Sequence, residues 1–238
     1  MTALRATYSL KSTSKPLDRR VNAARGDLAD IALAGKIFVP HYANVLTKYV
    51  CVERSAVYAK PNSDATMVSE LLLGEQFCVL DVSGEWAWGY CAHDHYVGYI
   101  TVDALNDIIQ IKNKKTSTTY WLTAQNYIDV PYVWGGRSHV GIDCSGLVQI
   151  ALAAADIVAP RDTDQQMAAL GAEIAPHTPL QEGDLIFFPG HVGIMIDDTN
   201  MVHATGFHNK VVIEPLATVV ARIAEKNAQP ILARKRLA

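Results

Sequence analysis

Cys144 lies between Asp143 and Ser145, directly ahead of the apolar stretch Gly146-Leu147-Val148-Gln149-Ile150-Ala151-Leu152-Ala153-Ala154-Ala155. Read as a helix, that stretch is apolar around most of its surface, which predicts burial. A thiol in the first turn of such a helix sits at the positive end of the helix dipole, a setting that favours the nucleophilic thiolate. Free cysteines are also common as buried structural residues, and this segment by itself fits either role. Downstream, Pro189-Gly190 leads into His191-Val192-Gly193-Ile194-Met195-Ile196, and His203 sits within Met201-Val202-His203-Ala204-Thr205. The two histidines are 12 residues apart, with the turn-like Asp197-Asp198-Thr199-Asn200 between them. That spacing suits adjacent antiparallel strands. A nucleophilic thiol needs an imidazole within hydrogen-bond reach, and the imidazole needs a second group to fix its tautomer. Cys144, His191 and His203 supply the three roles. Zinc ligation with His208 or Asp197 is the competing chemistry for two histidines, but His-x11-His has no zinc signature. No metal and no cofactor is expected.

These residues belong to a longer pattern. Pro131-Tyr132-Val133-Trp134-Gly135-Gly136 comes first, then Asp143-Cys144-Ser145-Gly146-Leu147-Val148 and Pro160-Arg161-Asp162-Thr163-Asp164-Gln165-Gln166. Gly183-Asp184-Leu185-Ile186-Phe187-Phe188, Gly190-His191-Val192-Gly193-Ile194 and His203-Ala204 complete it. In these blocks and their order, the stretch from about 116 to 234 resembles the NlpC/p60 family of papain-like cysteine peptidases, which act on bacterial cell-wall peptides. Trp86-Ala87-Trp88-Gly89 and Tyr96-Val97-Gly98-Tyr99-Ile100 give the preceding stretch the look of a bacterial SH3-like domain. Together the two parts resemble γ-D-glutamyl-L-diamino acid endopeptidases. Those cut after L-Ala-γ-D-Glu in murein peptides that have a free N-terminal L-Ala.

The resemblance implies catalytic roles for Cys144, His191 and His203, and substrate contacts from Tyr132, Asp143 and Ser145. It implies a further binding segment at Arg161, Asp162 and Thr163, with the Thr163 hydroxyl placed to meet the D-Glu carboxylate. Arg161 fits equally well as the structural ion-pair partner of Asp162, and Tyr132 also reads as a plain core aromatic. Tyr96 and Asp94, from the SH3-like part, would wall off the groove so that only a free amino end fits; an ordinary exposed loop is the other reading of Asp94. In the implied reaction Cys144 attacks the scissile carbonyl, and His191 holds the thiol proton and passes it to the leaving amine. His203 binds the far nitrogen of His191, and the Cys144 N–H donates to the developing oxyanion. Two other functions share this sequence: a murein-peptide-binding scaffold on an inactive peptidase fold, and a related amidase or acyltransferase.

The elements that must position these residues fall into three parts: an N-terminal segment over 1–45, the SH3-like domain over 46–107 and the catalytic domain over 116–238. In the first, Asp27 to Ala34 reads as a short helix ended by Gly35. In the second, short β-like runs begin at Tyr49, Ala56, Glu75, Trp86 and Val97, separated by turns, as in a small barrel; Trp86 is expected in its core and Trp88 on its surface. The third should be α+β, with helices near 118–128, 145–155 and 163–170 and a mostly antiparallel sheet from Asp184 onward. There Phe187 and Phe188 read as core. The cluster Lys112-Asn113-Lys114-Lys115 reads as a solvated linker.

Composition agrees with a folded enzyme: 238 residues, 50% hydrophobic, 19% charged, net charge −3. The modest charge makes nucleic acid an unexpected partner. Four cysteines without metal or disulfide-framework spacing are expected as free thiols. No run of about 18 apolar residues predicts a membrane span. The N-terminus carries Arg5, Lys11, Lys15, Arg19 and Arg20 without the apolar core of a signal peptide, so cytoplasmic action on murein fragments is expected.

Overall fold

The computed structural model describes residues 16–108 and 119–237. The lysine cluster at 112–115, the first residue of the helix expected near 118–128, and residues 1–15 with their basic side chains lie outside the described residues.

The N-terminal segment does not form the expected helix. Strand β1 (Leu28–Asp30) pairs in parallel with β2 (His41–Ala43), and a single 3-10 turn covers Ile31–Leu33. The Asp30 carboxylate accepts from the Ala32 N–H at 2.9 Å. A short acidic side chain that bonds its own backbone in this way competes with helix propagation. Gly35, at φ +79, then turns the chain back.

Seven antiparallel strands follow in the SH3-like part: β3 (Leu46–Val50), β4 (Arg54–Tyr58), β5 (Met67–Leu72), β6 (Gln76–Ser83), β7 (Trp86–Cys91), β8 (Val97–Thr101) and β9 (Leu105–Asn106), in spatial order β5-β4-β8-β7-β6-β3-β9. Val57, Leu71, Phe77, Ala87, Cys91 and Ile100 fill its core. Alternation along β7 points Ala87 into that core and puts Trp86 and Trp88 together on the opposite face. The expected assignment of the two tryptophans is therefore reversed. Trp88 is buried at 4% exposure, because Ala23, Leu28 and Ala43 of the N-terminal segment cover it. Trp86 is only half-buried, edge-on to Tyr58.

The remaining chain is α+β. It runs through α1 (Tyr120–Gln125), the small hairpin β10 (Arg137–Ser138) and β11 (Gly141–Ile142), α2 (Cys144–Ala153) and α3 (Thr163–Ala169). Then come β12 (Ala172–Glu173), β13 (Leu185–Phe188), β14 (His191–Met195), β15 (Asn200–Thr205), β16 (Lys210–Pro215), α4 (Leu216–Ala224) and β17 (Ala233–Arg236). The sheet order is β12-β17-β13-β14-β15-β16, antiparallel throughout. Helix α2 packs on it: Leu147, Val148, Ala151 and Leu152 share one core with Phe187, Val192, Ile194 and Val202. Alternation sends Phe188 to the other face, against Met195, Met201 and Val219 beneath α4. Both phenylalanines are core, as expected.

Buried polar contacts tie the two parts together. Arg137, 1% exposed, donates to Glu75 at 2.7 Å and to the Glu70 carbonyl at 2.6 Å. Gln149 of α2 donates to Asp94 at 2.8 Å, and Arg161 to Ser69 at 3.2 Å. These partners are specific and desolvated, so they fix one orientation of the SH3-like part over the helix starts.

Candidate active site

The start of α2 is held by one aspartate. Asp143 is the N-cap, and its Oδ1 accepts from the Gly146 N–H at 2.7 Å, satisfying a donor the helix leaves open. Its Oδ2 accepts from the Gly135 N–H at 2.8 Å. Gly135 sits at φ +79, and a Cβ there would lie 2.7 Å from the Met67 carbonyl oxygen, so this turn demands glycine. Arg161, 1% exposed, closes on both oxygens with Nη1–Oδ1 2.9 Å and Nη2–Oδ2 2.6 Å. Its Nη1 also donates to Ser145 Oγ at 2.9 Å. The pairing with Asp143 pushes the Arg161 guanidinium further up against the cost of burial. Thus Arg161 pairs with Asp143, not with Asp162 as one reading had it, while Asp143 still lines the cavity over Cys144.

Cys144 is the first residue of α2 and 5% exposed. Its Sγ lies 3.8 Å from Thr163 Oγ1 and accepts from the Val192 N–H, one residue beyond His191. Burial, reinforced by Asp143, pushes this thiol above its usual range, and the Thr163 and Val192 contacts only partly offset that. The helix dipole acts in the opposite sense, with an effect of up to about 2 kcal/mol where the site is buried. Burial thus works toward the thiol and the helix position toward the expected thiolate.

The histidines come from neighbouring strands, as their spacing predicts. His191 Nε2 lies 2.7 Å from His203 Nδ1, and His203 Nε2 lies 3.0 Å from Glu214 Oε2. Burial, then His203, lowers His191 to about 3, and burial also lowers His203 despite Glu214. Both rings rest neutral. No hydrogen bond joins Cys144 to His191 among the described residues; the sulfur meets the backbone beside it.

A cavity of about 410 Å³ opens over the thiol, lined by Tyr96, Asp143, Cys144, Ser145, Asp162 and Thr163 together with Arg20, Trp134, Met167 and Phe188. Six residues named from sequence thus meet in one groove. In its wall Asp162 Oδ2 accepts from Tyr96 Oη at 2.9 Å and from Arg20 Nη1 at 2.9 Å. Burial raises the Asp162 carboxyl, and Tyr96 and the two arginines only partly oppose it. Arg20 also grips Asp164 and Asp18, and it draws Asp18 down to about 2.

Two sequence-named residues stand apart. Asp94 is no exposed wall: its side chain is 0% exposed, and its oxygens accept from the Tyr96 N–H at 2.9 Å and from Gln149. It sets the backbone that presents Tyr96. Tyr132 is half-buried against the core beside Cys144, flanking the groove without lining it. His191 and His203 do not line this cavity either; they border a separate recess of about 320 Å³, shared with Phe207 and Arg222. Sequence reasoning missed Arg20, Trp134 and Glu214. Trp134, 61% exposed within a run already singled out, was the findable one. His208 and Asp197, the alternative zinc ligands, turn elsewhere: His208 to Glu214, Asp197 to Thr199 and Asn200 in the β14–β15 turn.

Comparison with known proteins agrees with this layout. Residues 129–224 match the NlpC/P60 family, and residues 57–105 match the bacterial dipeptidyl-peptidase Sh3 domain. Over 94 residues, 40% of this chain and 34% of the relative, it is 42% identical to dipeptidyl-peptidase 6 of Lysinibacillus sphaericus. Over 104 residues, 40% of this chain and 31% of the relative, it is 36% identical to the gamma-D-glutamyl-L-lysine dipeptidyl-peptidase of Bacillus cereus. The chain thus spans about a third of the length of these curated relatives. A crystal structure of an NlpC/P60 family protein from Bacillus cereus aligns at TM-score 0.45 and 21% identity, over 80% of this chain and 62% of that one. The chain joins a bacterial Sh3 domain to a domain of the NlpC/P60 family, a family of cysteine peptidases.

Proposed function

We propose that this chain is a cysteine endopeptidase that cleaves the γ-D-Glu to L-diamino acid bond of murein peptides with a free N-terminal L-Ala. The observation that carries the reading is the Tyr96–Asp162 contact, which brings the Sh3 domain into the wall of the groove that holds Cys144. An anionic, partly enclosed groove suits an ammonium, and the enclosure leaves little room for an acyl group on it. The name of the Bacillus cereus relative carries a γ-D-glutamyl-L-lysine linkage, the class of bond proposed here.

Burial of the thiol and of the imidazole disfavours a charged pair before substrate arrives, so proton transfer accompanies attack in this reading. As the sulfur bonds the carbonyl carbon, its proton passes to His191. The oxyanion meets the N–H groups that begin α2, where one such donor is worth about 3–4 kcal/mol. His191 then protonates the departing amine as the C–N bond breaks, leaving a thioester. Water, deprotonated by His191, releases the acyl group and restores the thiol.

The test is to incubate the protein with L-Ala-γ-D-Glu-diaminopimelate and with its N-acetylated form, alongside Cys144→Ala. Cleavage of the free-amine peptide alone, abolished by the substitution, is expected. Equal turnover of both peptides would remove the amine-recognition part and keep the peptidase. Binding without turnover would favour the scaffold reading.

A further inference from the structure

Behind His203 the polar chain does not stop. The β15–β16 register sets His203 opposite Val212, and Glu214, two residues on and on the same face, reaches the ring diagonally. Its Oε2 lies 3.0 Å from His203 Nε2. Its other oxygen receives Arg222 from α4, and His208 Nε2 from the β15–β16 turn at 3.2 Å. Arg222 is itself pinned, its guanidinium 4.0 Å from the centre of the Phe207 ring. Burial works against ionising Glu214, but Arg222, His208 and His203 hold it below the usual carboxylate range. It is an ionised, acceptor-only group.

Each proton position then follows from the one before. A carboxylate only accepts, so His203 carries its proton on Nε2. His203 is neutral, so its Nδ1 is a lone pair, and the 2.7 Å contact requires His191 to donate from Nε2. His191 is neutral too, which leaves its Nδ1 unprotonated and free to act as the base.

We propose that Glu214 is a positioning residue that sets the tautomers of both histidines, so that His191 presents a bare Nδ1 to the thiol. This rests on the peptidase reading above for its kinetic consequence, though not for its tautomeric one.

The test compares Glu214→Gln with Glu214→Ala. In the Gln variant Arg222 claims the amide oxygen, which turns the amide NH2 toward His203 Nε2. That inverts both rings and leaves His191 with a proton on Nδ1, the wrong nitrogen. In the Ala variant a water can accept in place of the carboxylate. The conservative substitution is therefore expected to be the more damaging, with kcat on the free-amine peptide down on the order of a hundred-fold and KM little changed, as expected for a wrong tautomer or a lost orienting partner. A group that merely packs would give the opposite order. Nitrogen-15 NMR of the ring nitrogens reads the tautomers without turnover: Nε2–H on both rings is expected in the wild type, and Nδ1–H on both in the Gln variant. Wild-type His191 protonated on Nδ1, or a Gln variant as active as wild type, would overturn the proposal. If the wild type cleaves no murein peptide, the peptidase reading fails and the NMR still decides the role of Glu214.

Discussion

Asp143 and Asp162 both cap helices whose first turns line the same groove, at α2 and α3, yet their surroundings differ in kind. Asp143 is saturated by two backbone N–H groups and by both arms of the buried Arg161. Asp162 has the Tyr96 hydroxyl and one arm of Arg20, itself partly exposed, and it faces the cavity. The first aspartate is structural: it builds the platform that holds the sulfur. The second keeps a more exposed carboxylate in the same groove. Residue type and helix position are the same; the cation supplied from elsewhere in the chain makes the difference.

Removing that cation is the sharpest way to break the contrast. Arg161→Met leaves Asp143 buried without its counterion, and unfolding in urea should show a loss of about 3–5 kcal/mol. Wild-type stability in that variant would mean that Asp143 is not structural. The next effect is expected at the other aspartate. Asp162→Asn keeps a good N-cap residue but removes the charge. It should raise KM for the free-amine peptide by an amount worth about 1.5–3 kcal/mol, with stability nearly unchanged. A matching loss of stability would put the two aspartates in one class.

The smallest effect concerns protons. His191, lowered to about 3, and His203, lowered as well, stay neutral in the fold, while in the unfolded chain each takes a proton below about 6.5. Unfolding is therefore favoured progressively as pH falls from 6.5 toward 3, and stability is full above that window. Between pH 6.5 and 5.5 the loss from His191 should be roughly 1 kcal/mol, with His203 adding in the same direction, and His191→Gln should remove its share of the slope. A flat profile there would mean that the rings titrate in the fold as they do in the unfolded chain, and a stability that rises toward pH 5.5 would mean that they are charged in the fold.

Much of this site was readable from local pattern. Cys144 ahead of an apolar helix, and two histidines spaced for adjacent strands, need only nearby residues to be recognised, and α2, α3 and β13 to β16 follow the same logic. The expected Asp27–Ala34 helix failed because strand pairing with 41–43 and a local Asp30 bond outweighed propensity. The tryptophans were exchanged because nothing in β7 reveals that Ala23 and Leu28 lie over one of them. Arg20 and Glu214 stayed invisible for a related reason: Arg20 reaches Asp162 across 142 positions of chain, and Glu214 looks like any polar residue of an edge strand.

By itself the sequence determined which groups could react and which elements would carry them, because helix and strand periodicity and turn chemistry act over a few residues. Only the tertiary structure decided the environments: a buried thiol, rings held toward their neutral forms, one aspartate clamped by a buried arginine and one more exposed. Those depend on desolvation and on partners brought from distant segments, and both exist only once the chain has closed around them.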